Sequence, residues 1–141
     1  MPKKITLNKL VDNLAVALQK HVRLKAADSS GMVVCVTCSE LGKHTVKHWK
    51  EMQGGHFIER GKAHKVLEEN INPQCPYCNQ WGMKQASVVL AYRRHMVGMY
   101  GEKFVKNLEA TANNPVKRFR PDVEAELKDI RRRNREMENA L

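Results

Sequence analysis

An α+β fold, with a metal-stapled core of short strands held between flanking N-terminal and C-terminal α-helices, follows from three features of the sequence. All four cysteines fall into two C-x2-C pairs, Cys35/Cys38 and Cys75/Cys78. Short β-branched or glycine-led runs lie beside and between those pairs, and amphipathic helical stretches occupy both ends. The same features divide the 141 residues into an N-terminal amphipathic helix (1–30), a metal-bound core with a helical tail (31–112) and a basic helical extension (113–141). A chain of this length buries one modest core.

The first helix is read over Thr6 to Lys25. Leu7, Leu10, Val11, Leu14, Ala17 and Leu18 recur at spacings of three and four, with Lys3, Lys9, Lys20 and Arg23 around the remainder. Asp28-Ser29-Ser30-Gly31 is a turn, and Met32 to Val36 is a strand leading into the first cysteine pair. Ser39 to Met52 is polar and aperiodic, so irregular structure is expected there, anchored by Trp49. Gly54-Gly55-His56-Phe57-Ile58 predicts a short strand with His56 and Ile58 on one face. Lys62 to Asn70 reads as a short helix or loop, with Pro73 limiting any continuation. Helical spacing returns over Ala86 to Tyr100, Gly101 interrupts it, and Glu102 to Ala110 adds a shorter helix. After the Asn113-Asn114-Pro115 linker, Asp122 to Ala140 forms a charged helix. Val123, Leu127, Ile130, Asn134, Met137 and Leu141 follow a coiled-coil spacing on it, so this seam either packs on the body or pairs with a second copy.

The formal charge is +10 at neutral pH, with a pI near 9.7. That balance favours polyanions, because each Lys or Arg that meets a phosphate releases condensed counterions. No apolar run approaches the roughly 18 residues of a membrane helix. The start, Met1-Pro2-Lys3-Lys4-Ile5, leads into amphipathic sequence and not an apolar block, so no signal peptide and a reducing cytoplasm are expected. In that compartment paired cysteines bind metal more often than they form disulfides. The form C-x2-C, thirty-six residues, C-x2-C suits one tetrahedral zinc, with a redox dithiol or free thiols as the alternatives. Four thiolates leave no open position, so this Zn2+ is structural.

Between and beside the pairs stand His56, Asn70 and Asn79. Their order matches an HNH (ββα-metal) nuclease: a His ending a strand, an Asn in the following loop, then His or Asn on a helix beside a knuckle. The strings Gly55-His56-Phe57-Ile58-Glu59-Arg60-Gly61 and Asn70-Ile71-Asn72-Pro73-Gln74-Cys75-Pro76-Tyr77-Cys78-Asn79, with Cys35-Val36-Thr37-Cys38 upstream, resemble the NinG/Rap family of lambdoid phage recombination endonucleases. Tyr92, Tyr100-Gly101-Glu102 and Leu108 are similar to its helical tail, so the resemblance covers about Cys35 to Leu108. It implies an HNH-like core and a nuclease acting on branched DNA such as Holliday junctions and D-loops.

Phosphodiester hydrolysis gives the residues roles. Water attacks phosphorus only as a base removes its proton, and an imidazole with an ordinary pKa of about 6.5 suits that task. His56 is the expected base; a hydrogen-bonded structural His is the other reading. The Asn70 amide would hold the loop or orient His56, and Asn72 lies close enough to be confused with it. Asn79 is read either as an oxygen ligand for a catalytic Mg2+ or Mn2+ or as a helix N-cap. Many HNH enzymes carry an Asp before the base; here that position is Gly55, so the ion would draw on His44, His48, Glu59, His64, Glu68 or Glu69. Arg60, Lys117, Arg118, Arg120, Arg131, Arg132 and Arg133 are candidate DNA contacts, or else a solvated face balanced by Asp122, Glu124, Glu126 and Asp129. Two symmetric cuts would suit a homodimer. A non-catalytic zinc module that binds nucleic acid or a replication partner explains the cysteines and charge equally well.

Overall fold

The computed structural model describes residues 4–141, so the Lys3 expected on the first helix lies outside the described residues. The fold is mixed α+β. Helix α1 (Leu7–Ala26) leads to strand β1 (Met32–Val34), short helix α2 (Val36–Glu40) and strand β2 (Val46–His48). Strand β3 (Gln53–His56), a long loop and strand β4 (Ile71–Gln74) follow, then short helix α3 (Pro76–Gln80). Helices α4 (Ala86–Tyr100), α5 (Glu102–Ala110) and α6 (Arg120–Ala140) complete the chain. Among the described residues no helix is long and apolar enough to cross a membrane.

Helix α1 begins where Thr6 Oγ accepts from Lys9 N–H at 3.2 Å, satisfying one of the free amides of the first turn. Its apolar stripe (Leu10, Val11, Leu14, Leu18) meets Val123, Leu127 and Ile130 of α6 and Ile71 of β4. The C-terminal seam is therefore covered by α1 within the same chain. Its one polar position is matched: Asn134 Oδ1 lies 2.9 Å from His21 Nδ1, and Asn134 Nδ2 donates to Ala17 O at 3.0 Å. Leu141, expected on that seam, is instead exposed.

Two antiparallel hairpins make up the strands. β1 pairs with β2, Val33 opposite Lys47, and β3 pairs with β4, Gly55 opposite Asn72. Sequence expectations change or sharpen at four places here. The aperiodic stretch from Ser39 to Met52 contains β2, and the residues around Pro73 form β4, where Pro73 faces Gly54. Strand β3 ends at His56, so Ile58 does not share its face; the Ile58 N–H is taken by Asn70 Oδ1 instead. The expected helix or loop over residues 62–70 is turns closed by a 3-10 segment at Glu68–Asn70. Gly101, at φ +89°, separates α4 from α5 as expected, a conformation most side chains resist.

Candidate functional site

Both cysteine pairs are built the same way. A strand, β1 or β4, delivers its first cysteine to the N-cap of a short helix, and the second follows in that helix's first turn. Pro76 at the start of α3 helps, since its missing N–H would have no helical partner there. The four sulfur atoms are buried and lie within 4.8 Å of one another; Cys38 Sγ is 3.5 Å from Cys78 Sγ and 3.8 Å from Cys75 Sγ. Zinc–sulfur bonds of about 2.3 Å give a tetrahedron with edges of about 3.8 Å, so the sulfurs fit one zinc ion. Leu24, Val33, Trp49, Met52 and Val88 pack around them and keep water away.

Burial pushes the Cys75 and Cys78 thiols up. It also acts on Cys35, but hydrogen bonds that its sulfur accepts from the Thr37 hydroxyl and from Cys38 N–H outweigh it and bring that thiol down to about 7. Thr37 is fully buried, and Gln74 Nε2 donates to its hydroxyl at 3.3 Å, tying the first knuckle to β4.

His56 closes β3 with its ring half-buried. Nε2 lies 2.8 Å from the carbonyl oxygen of Lys65. A carbonyl only accepts, so Nε2 carries the hydrogen, and in the neutral ring Nδ1 is left as the acceptor. Burial is the main force holding the His56 pKa below its ordinary value, and the charges of Arg60 and Lys65 act in the same direction against the Lys65 carbonyl. The neutral form needed by a base is thus favoured.

Asn70 is fully buried and braces the loop that supplies this carbonyl. Its Oδ1 accepts from Ile58 N–H at 2.8 Å, and its Nδ2 donates to Ile58 O at 2.9 Å and His64 O at 3.1 Å. It reaches His56 only through the loop. Asn72 does different work: its Nδ2 donates to Tyr92 Oη at 3.1 Å, and the Tyr92 hydroxyl donates to Gly55 O at 2.6 Å, fixing β3 to α4.

Asn79 lies at the end of α3, where its Nδ2 donates to Gln53 Oε1 at 2.8 Å. The N-cap of α3 is Cys75, so the capping explanation for Asn79 falls away. Strand alternation sets Gln53 and Gly55 toward α3, but Gly54 and His56 toward α1. A Cβ on Gly54 would stand 2.7 Å from Gln19 Cα, and one on Gly55 would stand 2.9 Å from Asn79 Oδ1. His56 and Asn79 therefore flank the hairpin from opposite faces. The place of a side chain at Gly55 is filled by Gln74 Oε1, 1.7 Å from where a Cβ would be.

Of the other ligand candidates, His64 Nε2 is engaged by Leu108 O at 3.1 Å and Thr111 Oγ at 3.0 Å. Glu68 pairs with Lys25 at 2.9 Å and faces His21 at 3.4 Å. Among the described residues, the four cysteines are the one group of three or more His, Cys, Asp or Glu side chains placed to hold a metal ion.

The basic candidates separate into two places. Arg60 and Arg118 line one groove of about 530 Å³ between α1, the β3–β4 loop and the linker, where Arg118 donates to Ala63 O at 3.3 Å. Lys117 is exposed beside it. Arg120 is engaged by Ile5 O and by Glu124 at 3.4 Å. On α6, Arg132 is held between Asp129 at 2.7 Å and Glu136 at 2.8 Å, and Arg133 reaches Asp129 at 3.9 Å. Arg131 is exposed and lines a crevice with Lys20 and Arg135. Sequence reasoning missed the Lys65 carbonyl, because a backbone acceptor has no residue signature. It also missed Lys62 and Lys65 in the groove, although the spacing of Arg60, Lys62 and Lys65 was visible.

The family model described as Bacteriophage Lambda NinG protein matches residues 3–140. No curated protein and no solved structure matches the chain.

Proposed function

The chain belongs to the NinG family, the match spanning nearly its whole length, and from that premise we propose that it is a structure-selective endonuclease that hydrolyses phosphodiester bonds in branched recombination DNA. Holliday junctions and D-loops are the substrates this reading names. The observation that carries it is the His56 ring, neutral, held at Nε2 by Lys65 O and keeping Nδ1 as its proton acceptor. The order hairpin, bracing Asn70, short helix also agrees with an HNH-like core, with the zinc as staple.

In this reading Nδ1 of His56 takes a proton from water as the water oxygen bonds to phosphorus, and the bond to the leaving sugar oxygen breaks. Asn70 is a positioning residue, holding the loop whose carbonyl orients the ring. A divalent ion such as Mg2+ or Mn2+, when bound, stabilises charge on the leaving oxygen. Asn79 Oδ1, the oxygen the sequence assigned to such an ion, lies on the face of the hairpin away from His56, so it does not fit an ion at the phosphate that His56 would address. Paired cuts call for two copies on one junction. Since α1 covers the α6 seam, such a homodimer would use another surface, in the cytoplasm of the phage's host.

A second reading is a zinc-containing DNA-binding accessory protein without catalysis. It is favoured by one observation, the placement of His56 and Asn79 on opposite faces of the hairpin. A nicking assay on four-way, flapped and linear DNA with Mg2+ or Mn2+ separates the two. The nuclease reading expects wild type to cut branched DNA and His56→Ala to bind it without cutting. Equal cleavage by both proteins would remove His56 from the mechanism, and no cleavage by either would leave the accessory reading.

A further inference from the structure

The groove between α1, the β3–β4 loop and the 112–118 linker has a role that neither the zinc nor the His56 ring accounts for. Its volume is about 530 Å³, and Arg60, Lys62, Lys65 and Arg118 line it together with the amides of Asn8 and Asn113. Among the described residues that line it there is no carboxylate. The walls are tied to each other: Ala63 N–H donates to Ala112 O at 2.8 Å, and His64 and Arg118 add the contacts to Leu108, Thr111 and Ala63 described above. Three of these four charges, on Arg60, Lys62 and Arg118, make no salt bridge among the described residues, although Asp12 feels the charge of Arg60 and Glu126 that of Arg118 through space. The exception is Lys65, whose ammonium pairs with Asp12 of α1. Like charges fixed this way repel, and an anion entering the groove relieves that repulsion.

We propose that this groove seats the sugar-phosphate backbone of a DNA strand, with Lys62 and Lys65 as contacts alongside Arg60 and Arg118, and with Asp12 holding Lys65 in check. The assignment rests on the DNA-directed reading above. A repeating phosphate chain fits cations spread over two walls, whereas a single small anion would leave most of them unmatched. Lys65 connects the two places: its carbonyl fixes the His56 ring, and its side chain lines the groove. A strand lying there would meet the side chain of the residue whose carbonyl holds the proposed base.

Anisotropy titrations of a labelled four-way junction, in buffer without added divalent ions and over a series of salt concentrations, test the groove separately from cleavage. Lys62→Gln should weaken binding several-fold and flatten the log–log salt dependence by about one unit, the value for one lost phosphate contact. Asp12→Asn should do the opposite, strengthening binding by freeing Lys65. Lys43→Gln, in an exposed turn away from the groove, serves as the control. Equal weakening by Lys43→Gln, an unchanged salt slope for Lys62→Gln, no gain for Asp12→Asn, or no binding by wild type would each overturn the proposal. Thermal melting of every variant confirms that folding is intact. Groove-dependent binding without cleavage under Mg2+ would keep the groove and defeat the nuclease reading.

Discussion

The carbonyl oxygen of Lys65 accepts a hydrogen bond from Nε2 of His56 at 2.8 Å, and this contact fixes which ring nitrogen is free to act as a base. Because burial, and then the charges of Arg60 and Lys65, hold the His56 pKa down, the ring is already unprotonated at neutrality. On the proposed nuclease reading, single-turnover cleavage should therefore rise with pH through a midpoint below the ordinary imidazole value of about 6.5 and stay flat across neutrality. A rate still climbing well above that value would mean that another group is the base.

The same ring makes folding stability depend on pH. In the unfolded chain it takes up a proton near its ordinary value of about 6.5, and in the folded chain only at lower pH. Between those two values the unfolded state binds more protons, so stability falls as the pH drops through the window; above it the contribution is constant. His95, also held down by burial, adds a term of the same sign. Urea midpoints measured across this range should slope less for His56→Ala than for wild type.

Asn70 makes three hydrogen bonds from a fully buried position, joining both main-chain groups of Ile58 to the carbonyl of His64 across the loop. Asn70→Ala leaves the Ile58 amide and two carbonyls without that partner and should destabilise the chain by about 2–4 kcal/mol. Asn70→Asp keeps the acceptor for Ile58 N–H but loses both donors, so it should not restore stability. Denaturant unfolding checks both. Cleavage by any folded fraction should fall as well, since the loop carries the Lys65 carbonyl.

Zinc removal should dismantle the centre of the fold. The thiols tie β1, α2, β4 and α3 together from within one apolar cluster, and without an ion they are four polar groups crowded in it. Metal analysis should return one zinc per chain. A chelator, or Cys38→Ser, should lower the melting temperature and expose Trp49, which fluorescence at longer wavelength would report. Full stability in metal-free protein would show that the cysteines act as packed thiols.

The parts of this architecture visible in the sequence are those set by spacing. Leu10, Leu14 and Leu18 predicted α1, the cysteine pairs predicted the centre, and Val123, Leu127 and Ile130 marked a seam whose partner is α1. What was hidden depends on distant partners. Ile71-Asn72-Pro73-Gln74 has little strand character by composition, yet it becomes β4 because Tyr92 receives Asn72 and Thr37 receives Gln74. β2 was hidden for a similar reason, its residues 46–48 being polar apart from Val46 and paired with β1 across the intervening α2. The seam's polar position was visible as Asn134, but not its match with His21, 113 residues away.

Gly55 precedes His56, where the resemblance to HNH enzymes would lead one to expect a metal-binding Asp, and the packing around it gives a physical reason for the glycine here. Gln74 is fully buried, its Nε2 engaged by Thr37, and its Oε1 fills the space a Cβ would need. Gly55→Ala forces that buried amide out of its place and should destabilise the chain by about 1–3 kcal/mol. Gly55→Asp should be worse and should not create a metal ligand, because its carboxylate would meet Gln74 Oε1 and Asn79 Oδ1 at once. If the amide of Gln74 is the obstacle, the penalty of Gly55→Ala should shrink in a Gln74→Ala background, a non-additivity that a double-mutant cycle of unfolding free energies reads directly. Additive effects would show that the penalty at residue 55 does not come from Gln74.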